Sequence, residues 1–502
     1  MAGVDDIRDI LRGAQALLFG FGGRMVARVI LVLAAARLFG AAELGVLGQT
    51  AAYVEIIAAI GVLGLKRGLL DMLSFNEEQK ISVEQRVLEA LGVTLMVSIA
   101  LSAGLLLLWP LVLPGNANLL PLLFFAIPAI AFTEVSLAAI KFKRVIKWDV
   151  WSRGFTEPWS FLGLALVLYY GLGVTEDGLV IAYVGSVCIS ALTVGFGLVH
   201  TYGARALFTS RPSLRNMLTI PRQSIPVGIT DLGVMMLRRI DILILGQFVP
   251  NTGVGLYYMV QQLVTVPQKV NALFEPMISP VIARLHNQSP NNRIRANLIG
   301  ICRWVFIIQL GITIPMLVFG DQLLTLFNPS FAVGWLILAI IVMAELIDGT
   351  FITTETPLVF ANPKIPPILV IMSLGVEMVL VAVFSQMWGV TGAAIGFLIA
   401  IIVLSSGRLI MLANRLHIQV ITISYLPPLG FALVMVAFLS GARVLVGIEP
   451  VLLIAAIVLL SLFCYIALIR RFGLTKSDRV LLRVLRQKKQ RSRKLISKTD
   501  DK

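Results

Sequence analysis

RQSIPVGITDLGVMMLRRIDILILGQFVPNTGVGLYYMVQQLVTVPQKVNALFEPMISPVIAR, residues Arg222 to Arg284, reads as two membrane-spanning helices joined by the short connection Val249 to Gly253. Asp231, Arg238, Arg239, Asp241, Lys269 and Glu275 lie in or near these spans. Hydrocarbon cannot solvate such ions, so each needs a partner ion, a backbone carbonyl or a water-filled cavity. A cavity within a helical bundle is the expectation that follows.

The rest of the chain agrees with a membrane setting. With 58% hydrophobic and 14% charged residues over 502 positions, and a mean hydropathy of +0.91, it is too apolar for a soluble fold. Its apolar runs match the roughly 20 residues that cross a hydrocarbon core as helix. Strands would need a period-two alternation that is absent, and a helix satisfies its own backbone in lipid. The expected fold class is all-α polytopic, with fourteen spans at about 13–38, 45–70, 88–112, 119–142, 155–173, 178–200, 224–248, 253–283, 297–319, 334–360, 366–386, 389–412, 425–446 and 450–470. The start, MAGVDDIRDILRG, lacks the pattern of a removable signal peptide, so the first span is expected to be retained.

Lys and Arg set the orientation. With the N-terminus cytoplasmic, 34 basic residues fall inside, only Arg37 and Arg443 fall outside, and 6 lie in the spans. Both termini are therefore expected in the cytoplasm, with the chain in the cell inner membrane. The net charge of +15 does not point to nucleic acid, because the tail from Arg470 holds 13 basic and 3 acidic residues. Val480, Leu481, Val484 and Leu485 share one helical face there, which suits a helix on an anionic leaflet, as a solvated topology anchor also would. Cys188, Cys302 and Cys464 fall within spans, and His200, His286 and His417 sit at cytoplasmic ends without a partner at ligand spacing. Neither a disulfide framework nor a metal site is expected.

Short outer loops, such as Pro114 to Asn118 and Val174 to Asp177, leave no room for an external catalytic domain. No Gly-rich phosphate cradle occurs on the inner side. The chain is thus expected to be a transporter or channel and not an enzyme. Gly20, Gly22, Gly23, Pro128, Pro226, Pro267, Pro276 and Pro280 fall inside spans, where they allow bending or close packing. Gly45-Val46 opens the second span and Gly253-Val254 the eighth, a faint repeat that carries one six-helix block onto another in the same orientation.

ARLFGAAELGVLGQTAAYVEIIAAIGVLGLKRGLL (Ala36 to Leu70), RRIDILILGQFVPNTGVGLYYMVQQL (Arg238 to Leu263), FEPMISPVIARLH (Phe274 to His286) and GVTGAAIGFLIAII (Gly389 to Ile402) resemble the polysaccharide transporter branch of the multidrug/oligosaccharidyl-lipid/polysaccharide exporter superfamily. The resemblance implies two six-helix lobes in a V around a central cavity, plus two C-terminal helices. The lobes would be 1–205 and 224–415, joined by a cytoplasmic linker 206–223 and followed by helices at 416–470 and a basic tail at 471–502. It also implies alternating access and movement of a lipid-linked oligosaccharide from the cytoplasmic to the outer leaflet for surface polysaccharide. Membrane lipids and a polysaccharide polymerase or export machinery are the implied partners. A lipid II flippase and a multidrug cation antiporter of the same superfamily are the near alternatives, and a membrane glycosyltransferase or ligase the distant one.

A polyprenyl pyrophosphate brings a dense anion into low dielectric, where fixed cations, best Arg with its paired donors, would meet it. The candidates are Arg24, Arg28, Arg238, Arg239, Lys269 and Arg303. Arg24 and Arg28 are four apart and share a helix face. The alternative is compensation within the protein: Arg24 or Arg28 with Glu55, and Arg238 or Arg239 with Asp231, Asp241 or Glu275. Gln261, Gln268 and Glu275 recur every seven residues and suit sugar hydroxyls or interhelical bonding. Asp348 and Glu355 share a face near Glu345; they could carry H+ or Na+ for coupled transport, or pair with the basic helices. No cofactor is expected.

Overall fold

The computed structural model describes residues 27–75, 82–112, 120–210, 212–270, 291–446 and 451–474, and these are helical, without a strand. Arg24, Glu275 and the basic tail beyond 474 lie outside the described residues. Among the described residues, nine helical runs are long and apolar enough to cross a membrane.

Nine runs and fourteen expected spans differ for local reasons. The expected spans 13–38 and 253–283 run into residues that are not described. Span 155–173 falls in a stretch where the helix Glu157–Leu166 is bracketed by π-helical turns at Val150–Thr156 and Val167–Gly171. Span 224–248 is broken: one helix covers Leu214–Met236 and a second covers Ile240–Leu245. The run Ile365–Leu416 contains two expected spans, because the chain reverses at Gly389 (φ 58°, ψ −134°). Its arms are antiparallel: Gly396 packs on Val381, and Ser373 Oγ donates to Ala400 O at 2.6 Å.

By packing, the chain divides into two compact units. The first takes the described residues up to Leu263, with Leu324–Ile337 and Val370–Ala400. Its core is built where the helices Leu65–Phe75, Val83–Val112, Leu120–Phe142 and Gly178–Tyr202 bury Leu69, Leu73, Val87, Leu137, Ile140 and Val194. Ala131, Ala138 and Ala139 are fully or almost fully buried there; lipid offers no hydrophobic drive between helices, so small residues that let backbones approach carry the packing. The helices Gly40–Val62 and Asn251–Gln268 cross in the same way. A Cβ on Gly255 would overlap the Ala41 carbonyl oxygen, and one on Gly45 the Asn251 carbonyl oxygen, so only glycine permits this approach. Gln49 Nε2 donates to Asn251 Oδ1 at 3.1 Å beside it.

The second unit takes Val264–Leu323, Leu338–Leu369 and the described residues from Ile401. Ile307, Leu310, Ile314, Leu346, Met435, Leu439 and Tyr465 form its core, and Tyr465 Oη donates to Ile307 O at 3.2 Å.

The two basic residues expected outside have local duties. In the second unit, Arg443 donates to Val318 O at a helix end (2.5 Å) and to Asp321 Oδ2 at 2.6 Å. In the first, Arg37 donates to Leu326 O at 2.8 Å through Nη2. Cations at orphan carbonyls of a helix C-terminus are favourable, which explains two exceptions to the charge bias.

Candidate functional site

The first unit gathers its charges at the broken helix. After Met236, Arg238 N donates to Met235 O at 3.1 Å and Arg239 N to Met236 O at 3.0 Å, so the chain tightens through a turn. The Asp241 carboxylate then sits in the first turn of the restarted helix and accepts from Ile242 N at 2.8 Å. The break thus sets two arginines and an aspartate side by side in an apolar span, where irregular backbone is tolerated if it faces protein or a cavity.

Each of these side chains reaches another helix. Arg239 grips Glu55 with a fork, Nε to Oε2 at 2.7 Å and Nη2 to Oε1 at 3.2 Å. Asp241 accepts from Tyr257 Oη at 2.6 Å and from Gln261 Nε2 at 2.7 Å. Arg28 donates through Nε to Gln262 Oε1 at 2.8 Å. Tyr257 and Gln261, like Tyr258 and Gln262, are four apart on the Asn251–Gln268 helix, so that helix carries two adjoining polar stripes. Tyr258 interacts with Arg28, Arg239 and Glu55 and links them into one cluster.

Glu377 completes the cluster. It is fully buried on the first arm of Ile365–Leu416, near Asp241 and Arg238, and neither carboxylate oxygen has a hydrogen-bond partner among the described residues. A buried carboxylate left without hydrogen bonds is costly. Glu377 and the hydrogen-bonded Asp241, two buried carboxylates near one another, together have the composition of a site for a small cation such as H+ or Na+.

The second unit holds a different group. Arg408 donates through Nη1 to Asp348 Oδ1 at 2.8 Å and through Nη2 to Glu355 Oε2 at 2.7 Å. Gln268 Nε2 lies 3.4 Å from Glu345 Oε1. Gln309 Nε2 donates to the carbonyls of Pro267 and Glu345, each at 3.3 Å. Arg303, almost fully buried, donates to Ser424 O at 3.0 Å and to Gly473 O, so its guanidinium holds backbone at the ends of neighbouring helices. Lys269 is half-buried in the turn after Gln268.

The structure therefore unites Arg28, Arg238, Arg239, Glu55 and Gln261 in the first unit, and Gln268, Glu345, Asp348 and Glu355 in the second. It gives Arg239 the partner that the sequence offered to Arg24 or Arg28. Asp231 instead lies 3.3 Å from Arg67 Nε. Asp348 and Glu355 take the ion-paired alternative, with Arg408 as the partner. Two residues were missed. Arg408 is not among the six candidate cations, because it stands one turn from the end of the expected span 389–412 and by sequence reads as part of the cytoplasmic flank. Glu377 had a signal, a lone carboxylate inside the apolar run LGVEMVL. Among the described residues no group of three His, Cys, Asp or Glu could hold a metal ion.

No family model matches the chain. No curated protein matches it. Solved structures do. The inward closed conformation of the lipid II flippase MurJ aligns at a TM-score of 0.71, with 11% identity over 90% of this chain and 98% of that one. The fold is that of MOP superfamily transporters. An inward-facing multidrug resistance MATE transporter of that superfamily aligns at 0.60, with 14% identity over 78% of this chain and 98% of that one. A MOP superfamily transporter from Pyrococcus furiosus, whose binding pocket is described as having reversed polarity that suggests a different function, aligns at 0.50, with 13% identity over 82% and 95%.

Proposed function

We propose that this protein is a flippase that moves a polyprenyl pyrophosphate-linked oligosaccharide from the inner to the outer leaflet of the cytoplasmic membrane by alternating access. The observation that carries the reading is the cluster of Arg28, Arg238 and Arg239 among apolar helices, with Arg28 on Gln262, Arg239 on Glu55, Arg238 near Glu377, and Tyr258 beside Arg28 and Arg239. A guanidinium presents a planar fork of donors that matches phosphate oxygens, and low dielectric strengthens each such contact. Gln261 and Gln262 add amide groups on the same helix suited to sugar hydroxyls. Arg24, four positions before Arg28 in the sequence and outside the described residues, is assigned to this set on sequence spacing alone. Asp241 and Glu377 would bind and release H+ or Na+ and so couple transport to an ion gradient.

A second reading is a lipid II flippase, favoured by the extent of the likeness to MurJ, whose named cargo shares the pyrophosphate. A cation antiporter is less favoured, since arginines at the site would repel a cationic drug.

The test is the pool of lipid-linked intermediates in a deletion strain. The proposal expects a sugar-bearing carrier to accumulate facing the cytoplasm, with the cell wall intact and surface polymer lost. Accumulated lipid II would support the second reading. Unchanged pools would overturn both.

A further inference from the structure

Away from the charged cluster, the first unit contains an apolar hollow of about 400 Å³ between the helices Val83–Val112, Leu120–Phe142 and Gly178–Tyr202, lined by Leu95, Pro128, Phe132, Leu192, Gly195 and Phe196 among others. Leu192 and Phe196 are 74% and 64% exposed, so the hollow opens to what surrounds the helices, and around apolar spans that is hydrocarbon. Two residues keep it open. Gly195 contributes no side chain where a Cβ would stand 3.6 Å from Phe132, and Pro128 interrupts the ladder of its helix.

One end of the hollow is closed by an aromatic and a cation. The Phe196 ring meets Trp148 edge-on at 5.6 Å, Trp148 meets His200 at 5.8 Å, and Lys147 Nζ sits 5.4 Å over the Trp148 ring. Lys147 and His200 are exposed. The distribution of basic residues puts this end at the cytoplasmic face, and Trp is favoured at headgroup level. An apolar slot that ends on a tryptophan and a lysine is complementary to a hydrocarbon chain joined to a phosphate.

We infer that this slot is a binding site for an anionic phospholipid of the cytoplasmic leaflet, one acyl chain lying along Phe132, Leu192 and Phe196 and the headgroup phosphate on Lys147. Moving a chain from bulk lipid into an apolar slot changes little, since lipid tails are as apolar as Leu. Selectivity therefore comes from the headgroup. One basic residue near the surface contributes about 1 kcal/mol, which is about a fivefold preference. The transported carrier is the weaker occupant, because under the function proposed above its pyrophosphate belongs with Arg28 and Arg239.

The full-length protein in nanodiscs of phosphatidylglycerol and phosphatidylcholine tests this, with a photoreactive diazirine on the acyl chain of each lipid in turn and the label mapped by peptide mass spectrometry. The phosphatidylglycerol probe is expected to label the peptides holding Phe132, Leu192 and Phe196 about fivefold more than the phosphatidylcholine probe. Lys147→Gln should equalise the two. Gly195→Leu, which fills the slot, should remove this label while labelling of Ile368 and Ile371 persists. Equal labelling by both probes, or labelling that Gly195→Leu leaves unchanged, would overturn the site. Displacement by a polyprenyl phosphate would reassign it to the carrier. Should Gly195→Leu fail to fold, the exposed Lys147→Gln variant decides alone.

Discussion

The buried ionic groups of the two units differ in how far each is closed. In the second, Arg408 is held by two carboxylates; the side chains of Arg408 and Asp348 are only 4% and 3% exposed, and Glu355 at 24% is the one member that reaches the edge. Both nitrogens at the end of its fork are engaged, which leaves little to offer a ligand. In the first, Arg239 and Glu55 are 21% and 23% exposed. Arg28 bonds an amide, and Glu377 keeps two oxygens without a hydrogen-bond partner among the described residues. The same residue types thus serve two ends. A closed triad fixes helices, whereas the cluster of the first unit, under the proposed function, would exchange its present partners for a passing head group or ion.

Substitutions can break this contrast. Arg408→Ala strands two carboxylates in the second unit and should cost about 3–5 kcal/mol, seen as a lower unfolding temperature in detergent and less protein in the membrane. Wild-type stability would show that the triad is not structural. Gly255→Ala places a methyl on the Ala41 carbonyl, and overpacking of that kind should cost about 1–3 kcal/mol in the same assay. Arg239→Lys keeps the charge but loses the fork on Glu55; transport should fall about tenfold with stability within about 1 kcal/mol. Glu377→Gln removes no hydrogen bond present here, so stability should hold or rise while ion-driven transport is lost. Full gradient dependence in that variant would remove Glu377 from coupling.

Helical periodicity and hydropathy were legible because each span must be apolar for its full length. The reversal at Gly389 was also readable, as the boundary between two expected spans. The break at Leu237 to Arg239 was not, since the flanking apolar residues read as one helix and only backbone bonding reveals the turn. Partner choice was hidden for the same kind of reason. That Arg239 meets Glu55, 184 positions away, and that Arg408 meets Asp348, 60 away, depends on helix packing that no local spacing encodes. Asp348 and Glu355 on one face were visible, but spacing alone does not tell a proton carrier from half of an ion pair.

The central claim is that the arginines of the first unit compensate a phosphate-bearing head group as it crosses. It is tested most directly in proteoliposomes, by following leaflet exchange of a fluorescent polyprenyl pyrophosphate sugar beside an uncharged polyprenyl sugar, for the wild-type chain and for Arg28→Gln. The account predicts rapid exchange of the pyrophosphate lipid alone by the wild type, and its loss in Arg28→Gln with the protein still folded. Equal exchange of both lipids, or a variant as fast and as selective as the wild type, would contradict it.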